Sequence, residues 1–309
     1  MGKETGIAWC DHTANFWMGC QRVSPGCEKC YAESLVTKRM GLAVWGPSST
    51  TERKRTQSAW RDVPAWDRAA KRDGVRRRLF VSSLADIFED HPQVAPWRAE
   101  ALALLERCTS LDVLLLTKRP QNIRAMVPPA WLDAWPAHVW IGTTVEDQRR
   151  AGERIPELLR VPARVRFLSC EPLLEEVDLK PFLPWAFWNG IVPNADGTPF
   201  SLPAVGGARG IDWVIVGGES GPGARPFDLA WARRIVRQCR AAGVAVFVKQ
   251  MGDNAITAVR VCPQHPDDFG CGDHCKYHRF VTEPMSFRAR AGADPAEWPE
   301  DLRVQEFPT

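Results

Sequence analysis

The 309-residue chain lacks the features that place a protein in or across a membrane. No apolar run approaches the ~20 residues that a transmembrane helix needs. The stretch at residues 1–12 also lacks the apolar core of a secretory signal peptide. The net charge of +3 is too small to indicate nucleic-acid binding by itself. We therefore expect a cytoplasmic protein that does not contact a membrane.

The chain is instead rich in cysteine and tryptophan, with ten Cys and fourteen Trp. In a reducing compartment, clustered cysteines indicate metal binding or catalysis more than disulfides. Apolar residues make up 45% of the chain and charged residues 25%. This balance is typical of a globular protein with a sizeable core.

Short apolar runs alternate with segments of helical spacing, which predicts repeated βα units. Near-continuous apolar runs of this kind are typical of strands buried on both faces of a parallel sheet. The predicted strands are Leu79–Ser83, Val113–Lys118, Val139–Thr144, Val165–Cys170, Trp213–Gly218 and Val244–Gln250, after a first strand between Ile7 and Trp17. The predicted helices between them include Trp97–Cys108, Gln148–Leu159 and Leu229–Ala242. We expect an α/β fold, a complete or partial (β/α) barrel of six to eight parallel strands, with an open doubly wound sheet as the alternative.

The chain divides into a barrel and a C-terminal part. Residues 1–252 are expected to form the barrel, with a Pro-, Gly- and Trp-rich insertion at residues 181–210. Residues 253–309 are expected to form a Cys/His-rich metal-binding loop and a tail. The tail after Glu283 has little apolar pattern, so we expect it to pack loosely.

The clearest motif is the C-x6-C-x2-C spacing of Cys20, Cys27 and Cys30. The turn residues Ser24–Gly26 can fold the segment back on itself, and a helix is predicted over Tyr31–Met40. Cys27 and Cys30 lie at the start of that helix, a position that is expected to lower their thiol pKa values. Three thiolates without a fourth suit a [4Fe–4S] cluster with one open iron. The alternatives are structural zinc with a fourth ligand elsewhere, or buried thiols that bind nothing.

Polar side chains follow each predicted strand, where barrel enzymes gather their functional groups. Because the carboxyl ends of parallel strands meet at one end of a barrel, we expect these side chains to line one polar site. The candidates for binding a cofactor or substrate are Ser83, Asp86, Lys118, Arg119, Thr144, Glu146, Glu171, Gly217, Gly218, Glu219, Ser220 and Lys249. Glu171 and Glu219 are also candidates for ion pairs with Lys118, Arg119 or Lys249, since buried charges need partners.

The opening of the chain resembles a known family. The segments Thr5–Trp9, Trp17–Cys20 and Ser24–Glu33 look like the start of the phage and prophage three-Cys-motif proteins, which are similar to radical S-adenosyl-L-methionine (SAM) enzymes. The resemblance continues at the strand ends, over Phe80–Phe88, Leu116–Pro120, Trp140–Glu146, Ser169–Leu173, Val216–Gly221 and Phe247–Gln250. The first cysteine gap is six residues where radical SAM enzymes usually have three, and Lys29 replaces their aromatic residue.

The resemblance implies a [4Fe–4S] cluster on Cys20, Cys27 and Cys30 that binds SAM at its open iron. Gly217–Gly221 resembles the glycine-rich strand end that contacts the methionyl part of SAM in such enzymes. The implied activity is reductive cleavage of SAM to a 5′-deoxyadenosyl radical, with electrons from a donor protein. The phage setting of the family favours a nucleic acid or nucleoside as the substrate.

A second cluster of metal-ligand residues lies near the C-terminus. Six Cys and His side chains fall within the 17 positions of residues 262–278. Zinc is the usual metal for mixed sulfur and nitrogen ligands in a small loop, and an auxiliary Fe–S cluster is the alternative. The preferred ligands are Cys262, Cys271, Cys275 and His278, with His265 or His274 as a substitute for one of them. A surface loop with unpaired thiols is the interpretation without a metal.

Residues 51–80 form a basic segment, with ten Lys or Arg against four Asp or Glu. Basic groups neutralise phosphates, and aromatic rings stack on unpaired bases. The candidates for nucleic-acid contact are Trp60, Trp66, Arg76, Arg77 and Arg78. A solvated helix face explains the same pattern. The sequence therefore leaves two functions open: a radical SAM enzyme acting on a nucleic acid or nucleoside, or a non-enzymatic nucleic-acid-binding barrel with structural metals.

Overall fold

The computed structural model describes residues 5–184, 191–193, 199–201, 210–261 and 279–308. Its strands are β1 (His12–Ala14), β2 (Trp17–Met18), β3 (Lys54–Arg55), β4 (Arg77–Val81), β5 (Leu111–Thr117), β6 (Val139–Thr144), β7 (Arg166–Cys170), β8 (Ile191–Pro193), β9 (Pro199–Ser201), β10 (Trp213–Gly217), β11 (Phe227–Asp228), β12 (Ala245–Gln250), β13 (Ala255–Val261) and β14 (Arg279–Pro284). Its α-helices are α1 (Tyr31–Ser34), α2 (Ser58–Asp73), α3 (Val94–Arg107), α4 (Ile123–Met126), α5 (Pro129–Asp133), α6 (Gln148–Leu159) and α7 (Leu229–Ala241). No helix among these described residues is both long and apolar enough to cross a membrane.

The predicted helices are confirmed, and local chemistry explains their ends. The side chain of Asp147 accepts the Arg150 N–H and caps the start of α6. Helix α2 is followed by Gly74, which terminates it by adopting the left-handed conformation that favours glycine (φ 65°). The segment predicted as one helix after Cys30 consists of α1 followed by a π-helical turn, Leu35–Arg39.

The main sheet has seven strands in the order β1-β4-β5-β6-β7-β10-β12, and every pair is parallel. This order follows the chain and never reverses, whereas a doubly wound sheet reverses at its switch point. Within the described residues the two edge strands, β1 and β12, do not pair with each other. The sheet is therefore a curled half-barrel, the partial form of the predicted barrel.

Two apolar layers cover the faces of this sheet. The larger lies between the strands and the surrounding helices. The other is mainly aromatic and fills the concave face, where Trp213 of β10 contacts Trp9, Trp140 and Phe167. The Trp9 and Trp213 ring centroids are 6.2 Å apart, although Trp9 precedes the first strand and Trp213 lies on the sixth. This cross-barrel contact is possible because the sheet curls.

The tail after Glu283 does not pack loosely, so that expectation is wrong. Trp298 and Leu302 are fully buried, and Phe307 packs against Trp213 and Phe247 on the concave face. The tail lacks periodicity because it consists of short 3₁₀ turns and loops that bury single side chains.

Most of the predicted insertion at residues 181–210 and all of residues 262–278 lie outside the described residues. The strands on either side of the latter segment, β13 and β14, pair in antiparallel fashion, with Val261 opposite Arg279. The two residues that flank the Cys/His segment are therefore neighbours.

Candidate functional site

A cavity of about 370 Å³ opens at the carboxyl ends of the strands of the half-barrel. Trp9 and Phe80 of the concave aromatic layer line it, as do residues that follow the strands. The predicted binding residues that line it are Ser83, Asp86, Lys118, Arg119, Thr144, Glu171, Gly218, Glu219, Ser220 and Lys249. The structure thus brings together all the predicted strand-end residues except Glu146 and Gly217.

The three cysteines of the N-terminal motif line the same cavity. Pro25–Cys27 forms a 3₁₀ turn after Ser24, as the Ser-Pro-Gly sequence predicts, and Cys30 directly precedes α1. All three are free thiols. The loop that carries them, residues 20–30, is hereafter called the cysteine loop.

Glu146 supports the cysteine loop from behind instead of lining the cavity. Its buried carboxylate accepts the Gly26 N–H at 3.3 Å and pairs with Arg154 (Nη1–Oε2, 2.6 Å). Burial raises the pKa of Glu146, but the charge of Arg154 lowers it by more than burial raises it. The net pKa of Glu146 therefore lies below its usual value. A Cβ atom at Gly26 would come within 3.1 Å of the Glu146 carboxyl group, so glycine permits this close approach.

Arg225 is a site residue that the sequence did not reveal. Its guanidinium donates to the Pro25 carbonyl oxygen at 3.0 Å and to Glu28 Oε2 at 3.2 Å. The same group pairs with the Glu219 carboxylate (Nη2–Oε1, 2.6 Å). Arg225 therefore joins the cysteine loop to the segment after β10. It lies in a Pro/Gly-rich turn where no periodic pattern singles out one arginine.

Arg119 joins Cys20 to a buried carboxylate. Its Nη1 lies 3.6 Å from Cys20 Sγ and 2.8 Å from Asp86 Oδ2, while Nη2 donates to the Gln21 carbonyl oxygen. Asp86 also accepts the Thr117 hydroxyl at 2.7 Å. Arg119 thus positions the first cysteine of the loop.

The expectation of a lowered thiol pKa at the start of the helix is wrong for Cys30. Burial raises the pKa of Cys20 to about 12, although the nearby Arg119 charge opposes this rise. Burial also raises the pKa of Cys30. The cost of removing a thiolate from water outweighs the favourable position at the start of the short helix α1.

Lys249 and Glu171 form the ion pair expected at the strand ends, with Nζ and Oε1 2.8 Å apart. Burial lowers the pKa of Lys249, but the Glu171 charge and hydrogen bond raise it more, so the net pKa is raised. Gly217 lies behind this pair, where a Cβ atom would be 2.9 Å from Glu171 Oε1. Glu219, by contrast, pairs with Arg225 and not with Lys118, Arg119 or Lys249.

Apart from Glu171 Oε1, which pairs with Lys249, two buried polar atoms of cavity-lining residues have no hydrogen-bond partner among the described residues: Trp9 Nε1 and Ser82 Oγ. Both residues line the cavity. Ser82 also adopts the left-handed backbone conformation (φ 68°), which costs a non-glycine residue about 1–3 kcal/mol and is found preferentially at functional sites.

The predicted nucleic-acid residues lie away from this cavity. Trp60 and Trp66 of α2 pack partly against the main core; Arg55 lies over the Trp60 ring and His12 stacks on Trp66. Arg76, Arg77 and Arg78 lie at the amino end of β4, at the opposite end of the sheet from Ser83 and Asp86. Arg76 pairs with Asp112, Arg77 with Asp73, and Arg78 lies against Asp11 and the Phe307 ring.

The predicted second metal ligands, Cys262, Cys271, Cys275 and His278, lie outside the described residues. Within the described ranges, no three His, Cys, Asp or Glu side chains converge as the ligands of a single metal ion would. The three cysteines share a cavity without forming such a single-ion site.

The chain belongs to a family described as "Protein of unknown function (DUF5131)", whose model matches residues 4–280. The match covers the half-barrel, the cysteine loop and the cavity. No curated protein and no solved structure matches the chain.

Proposed function

We propose that this member of the family is a cytoplasmic iron–sulfur enzyme of the radical SAM type. In this proposal Cys20, Cys27 and Cys30 hold a [4Fe–4S] cluster, and SAM and the substrate occupy the cavity beside it. The observation that carries the proposal is the shared cavity: three free thiols and the strand-end side chains face one space at the carboxyl end of a parallel half-barrel.

The competing occupant of this motif is a single zinc ion. A zinc site needs its ligands to converge around one ion, and no such group exists among the described side chains. A cubane cluster places each of three thiolates on a different iron, so its thiolates stand further apart. Arg119 beside Cys20 and Lys118 on the cavity wall supply positive charge next to the bound thiolates.

When bound and reduced, such a cluster supplies the electron that cleaves SAM into methionine and a 5′-deoxyadenosyl radical. In this proposal the residues of the chain bind the cluster and SAM and orient them in the cavity. Arg225, Glu146 and Arg119 fix the cysteine loop. Gly218 packs closely against the Met251 carbonyl oxygen, which would lie 2.4 Å from a Cβ atom placed at Gly218, so only glycine fits at this strand end. Trp9 and Ser82 form part of the cavity wall beside the cysteine loop.

Anaerobic reconstitution with iron and sulfide tests the cluster. We expect about four iron and four sulfide per chain at this site and a broad absorption at about 400 nm. The variant Cys20→Ala/Cys27→Ala/Cys30→Ala should lose both signals, whereas Cys108→Ala, a buried thiol outside the cavity, should keep them. Tight zinc at the motif, with no iron after anaerobic purification, would contradict the proposal.

Incubation of the reduced cluster protein with SAM tests the enzymatic part. We expect 5′-deoxyadenosine and methionine in equal amounts, with none formed by the triple cysteine variant. A cluster that forms but leaves SAM intact under these conditions would favour the second function, a nucleic-acid-binding barrel whose metals are structural.

For the C-terminal Cys/His segment we propose a zinc site on Cys262, Cys271, Cys275 and His278, with an auxiliary Fe–S cluster as the alternative. Its support is the pairing of Val261 with Arg279, which closes the segment between two neighbouring strand ends. Cys271→Ser/Cys275→Ser should lose one equivalent of zinc and keep the iron of the first motif. Loss of iron in place of zinc would identify an auxiliary cluster, and unchanged metal content would refute the ligand set.

A further inference from the structure

A second groove, of about 510 Å³, adjoins the cysteine cavity. It shares Arg22, Lys29, Cys30, Tyr31 and Ser220 with that cavity, so the two spaces meet at the cysteine loop. Its outer wall consists of the helical segment after Cys30 and the tail residue Arg290. We call it the loop groove.

The loop groove carries positive charge that the protein itself leaves unneutralised. Lys38, Arg39 and Arg290 are exposed, and none of them forms an ion pair with a described carboxylate. The two acidic residues of the groove already have partners: Glu33 pairs with Arg22 of the same groove, and Glu28 pairs with Arg225. An unpaired cation at a surface gains most by binding an anionic partner.

Tyr31 stands where the loop groove meets the cavity. Its side chain is 53% exposed, one of the most exposed large apolar groups among the described residues, while its hydroxyl donates to the Ser83 carbonyl oxygen at 3.3 Å. The hydroxyl bond holds the ring in one orientation. An accessible aromatic ring in the same groove as exposed cations is the combination that binds unpaired bases and their phosphates.

The basic segment at residues 51–80 does not offer this combination. Arg76 pairs with Asp112, and the Trp60 and Trp66 rings are half-buried and covered by Arg55 and His12. Its arginines at the start of β4 also lie at the opposite end of the sheet from the thiols. A strand bound there would not present a base to the cavity.

We infer that the loop groove binds single-stranded nucleic acid, with Lys38, Arg39 and Arg290 contacting phosphates and Tyr31 stacking on the base that enters the cavity. This deepens the proposed function, because it names the substrate class of the same cavity. A paired base within a duplex does not reach such a cavity unless it leaves the stack, so a single strand is the preferred form.

Fluorescence anisotropy with a short, labelled, mixed-sequence single-stranded DNA tests the inference on full-length protein without cluster or SAM. We expect Lys38→Gln/Arg39→Gln/Arg290→Gln to weaken binding by on the order of tenfold or more and to reduce the slope of log K against log salt by about 2. The matched control is Lys71→Gln/Arg72→Gln/Arg76→Gln, which removes the same charge from the basic segment. It should bind within about twofold of the parent.

Tyr31 provides a second, charge-independent readout. Tyr31→Ala should weaken binding by about five- to a hundredfold through loss of stacking, whereas Tyr31→Phe keeps the ring and should stay within about threefold. All of these side chains are exposed, and unchanged thermal transitions would show that the variants fold.

Several results would overturn the inference: no binding by the parent protein, equal weakening by the two triple variants, or equal affinity for a poly-glutamate peptide. The last would point to an acidic protein partner. Because the measurement uses protein without a cluster, failure of the iron–sulfur proposal does not alter it, and failure of binding leaves the reconstitution result standing.

Discussion

Replacing Glu89 by alanine is expected to lower the free energy of unfolding by about 3–5 kcal/mol at neutral pH. The Arg53 side chain is fully buried, and its guanidinium makes two bonds of 2.9 Å to the Glu89 carboxylate. Without Glu89, the guanidinium remains buried with only carbonyl oxygens as acceptors, those of Val44, Gly46 and Thr51. The cost is that of an uncompensated buried charge.

Loss of the Arg53–Glu89 ion pair should also affect the cysteine loop. Arg53 packs directly behind Gly19, where a Cβ atom would lie 2.7 Å from Arg53 Cδ, and Cys20 forms a β-bridge with Trp45. We therefore expect Glu89→Ala to reduce iron retention at the first motif as well as stability.

Urea unfolding measures the effect on stability, and Glu153→Ala is the control. Glu153 forms an exposed pair with Arg149 one helical turn away (Nε–Oε1, 2.7 Å). Such a pair contributes about 0.3–0.5 kcal/mol, so this variant should stay close to the parent. A Glu89→Ala protein within about 1 kcal/mol of the parent would show that the remaining carbonyl acceptors compensate for the lost carboxylate.

The sequence predicted the strands of the half-barrel because each is a local apolar run. β6 has its predicted bounds, and β7 and β12 begin one residue later than predicted. How far the sheet curls towards a closed barrel could not be predicted in this way. It depends on contacts such as Trp9 with Trp213, which join residues more than two hundred positions apart. The buried tail was missed for the same reason, because Phe307 gains its partners only from the folded concave face.

The cavity could be predicted because the topology of parallel strands places consecutive strand ends together. Ser83, Lys118 and Glu171 follow different strands, yet all line the cavity. The supports of the cysteine loop could not be predicted, since Arg225 reaches Pro25 across two hundred positions with no local pattern. The basic segment was predicted to contact nucleic acid from its charge density alone, and charge density along a sequence does not show which arginines already have partners. Arg76 is neutralised by Asp112, whereas Arg39 is not neutralised by any described carboxylate.

Replacing Arg119 by methionine should also destabilise the protein by about 3–5 kcal/mol at pH 7, and this loss should shrink as the pH falls. Arg119 is the cation that neutralises Asp86, whose side chain is almost fully buried. Burial raises the pKa of Asp86, but Arg119 and the hydrogen bonds from Thr117, Lys118 and Phe88 lower it more. The net pKa is therefore below its ordinary value.

The sign of the pH dependence follows from linkage. In the parent protein the folded-state pKa of Asp86 is below the unfolded value. The stability it contributes is thus fully present above the unfolded pKa and is lost as the pH falls through the folded pKa. Without Arg119, burial is expected to dominate and to raise the folded-state pKa of Asp86. Asp86 in the variant therefore becomes protonated at a higher pH, and its protonation removes the cost of the unpaired buried carboxylate. The difference in free energy of unfolding should be largest near pH 7 and clearly smaller near about pH 4.

Urea unfolding of the parent, Arg119→Met, Asp86→Asn and the double variant between about pH 4 and pH 7 measures this coupling. The double variant should be more stable than Arg119→Met alone, because it removes the unpaired carboxylate together with its partner. A loss in Arg119→Met that is the same at both ends of the pH range would place the cost elsewhere, in the lost contact with the Gln21 carbonyl oxygen.

The same variants separate that packing role from the contact with Cys20. Asp86→Asn keeps the Arg119 guanidinium beside Cys20 Sγ and should retain iron, whereas Arg119→Met removes the group and should lose iron faster during anaerobic gel filtration.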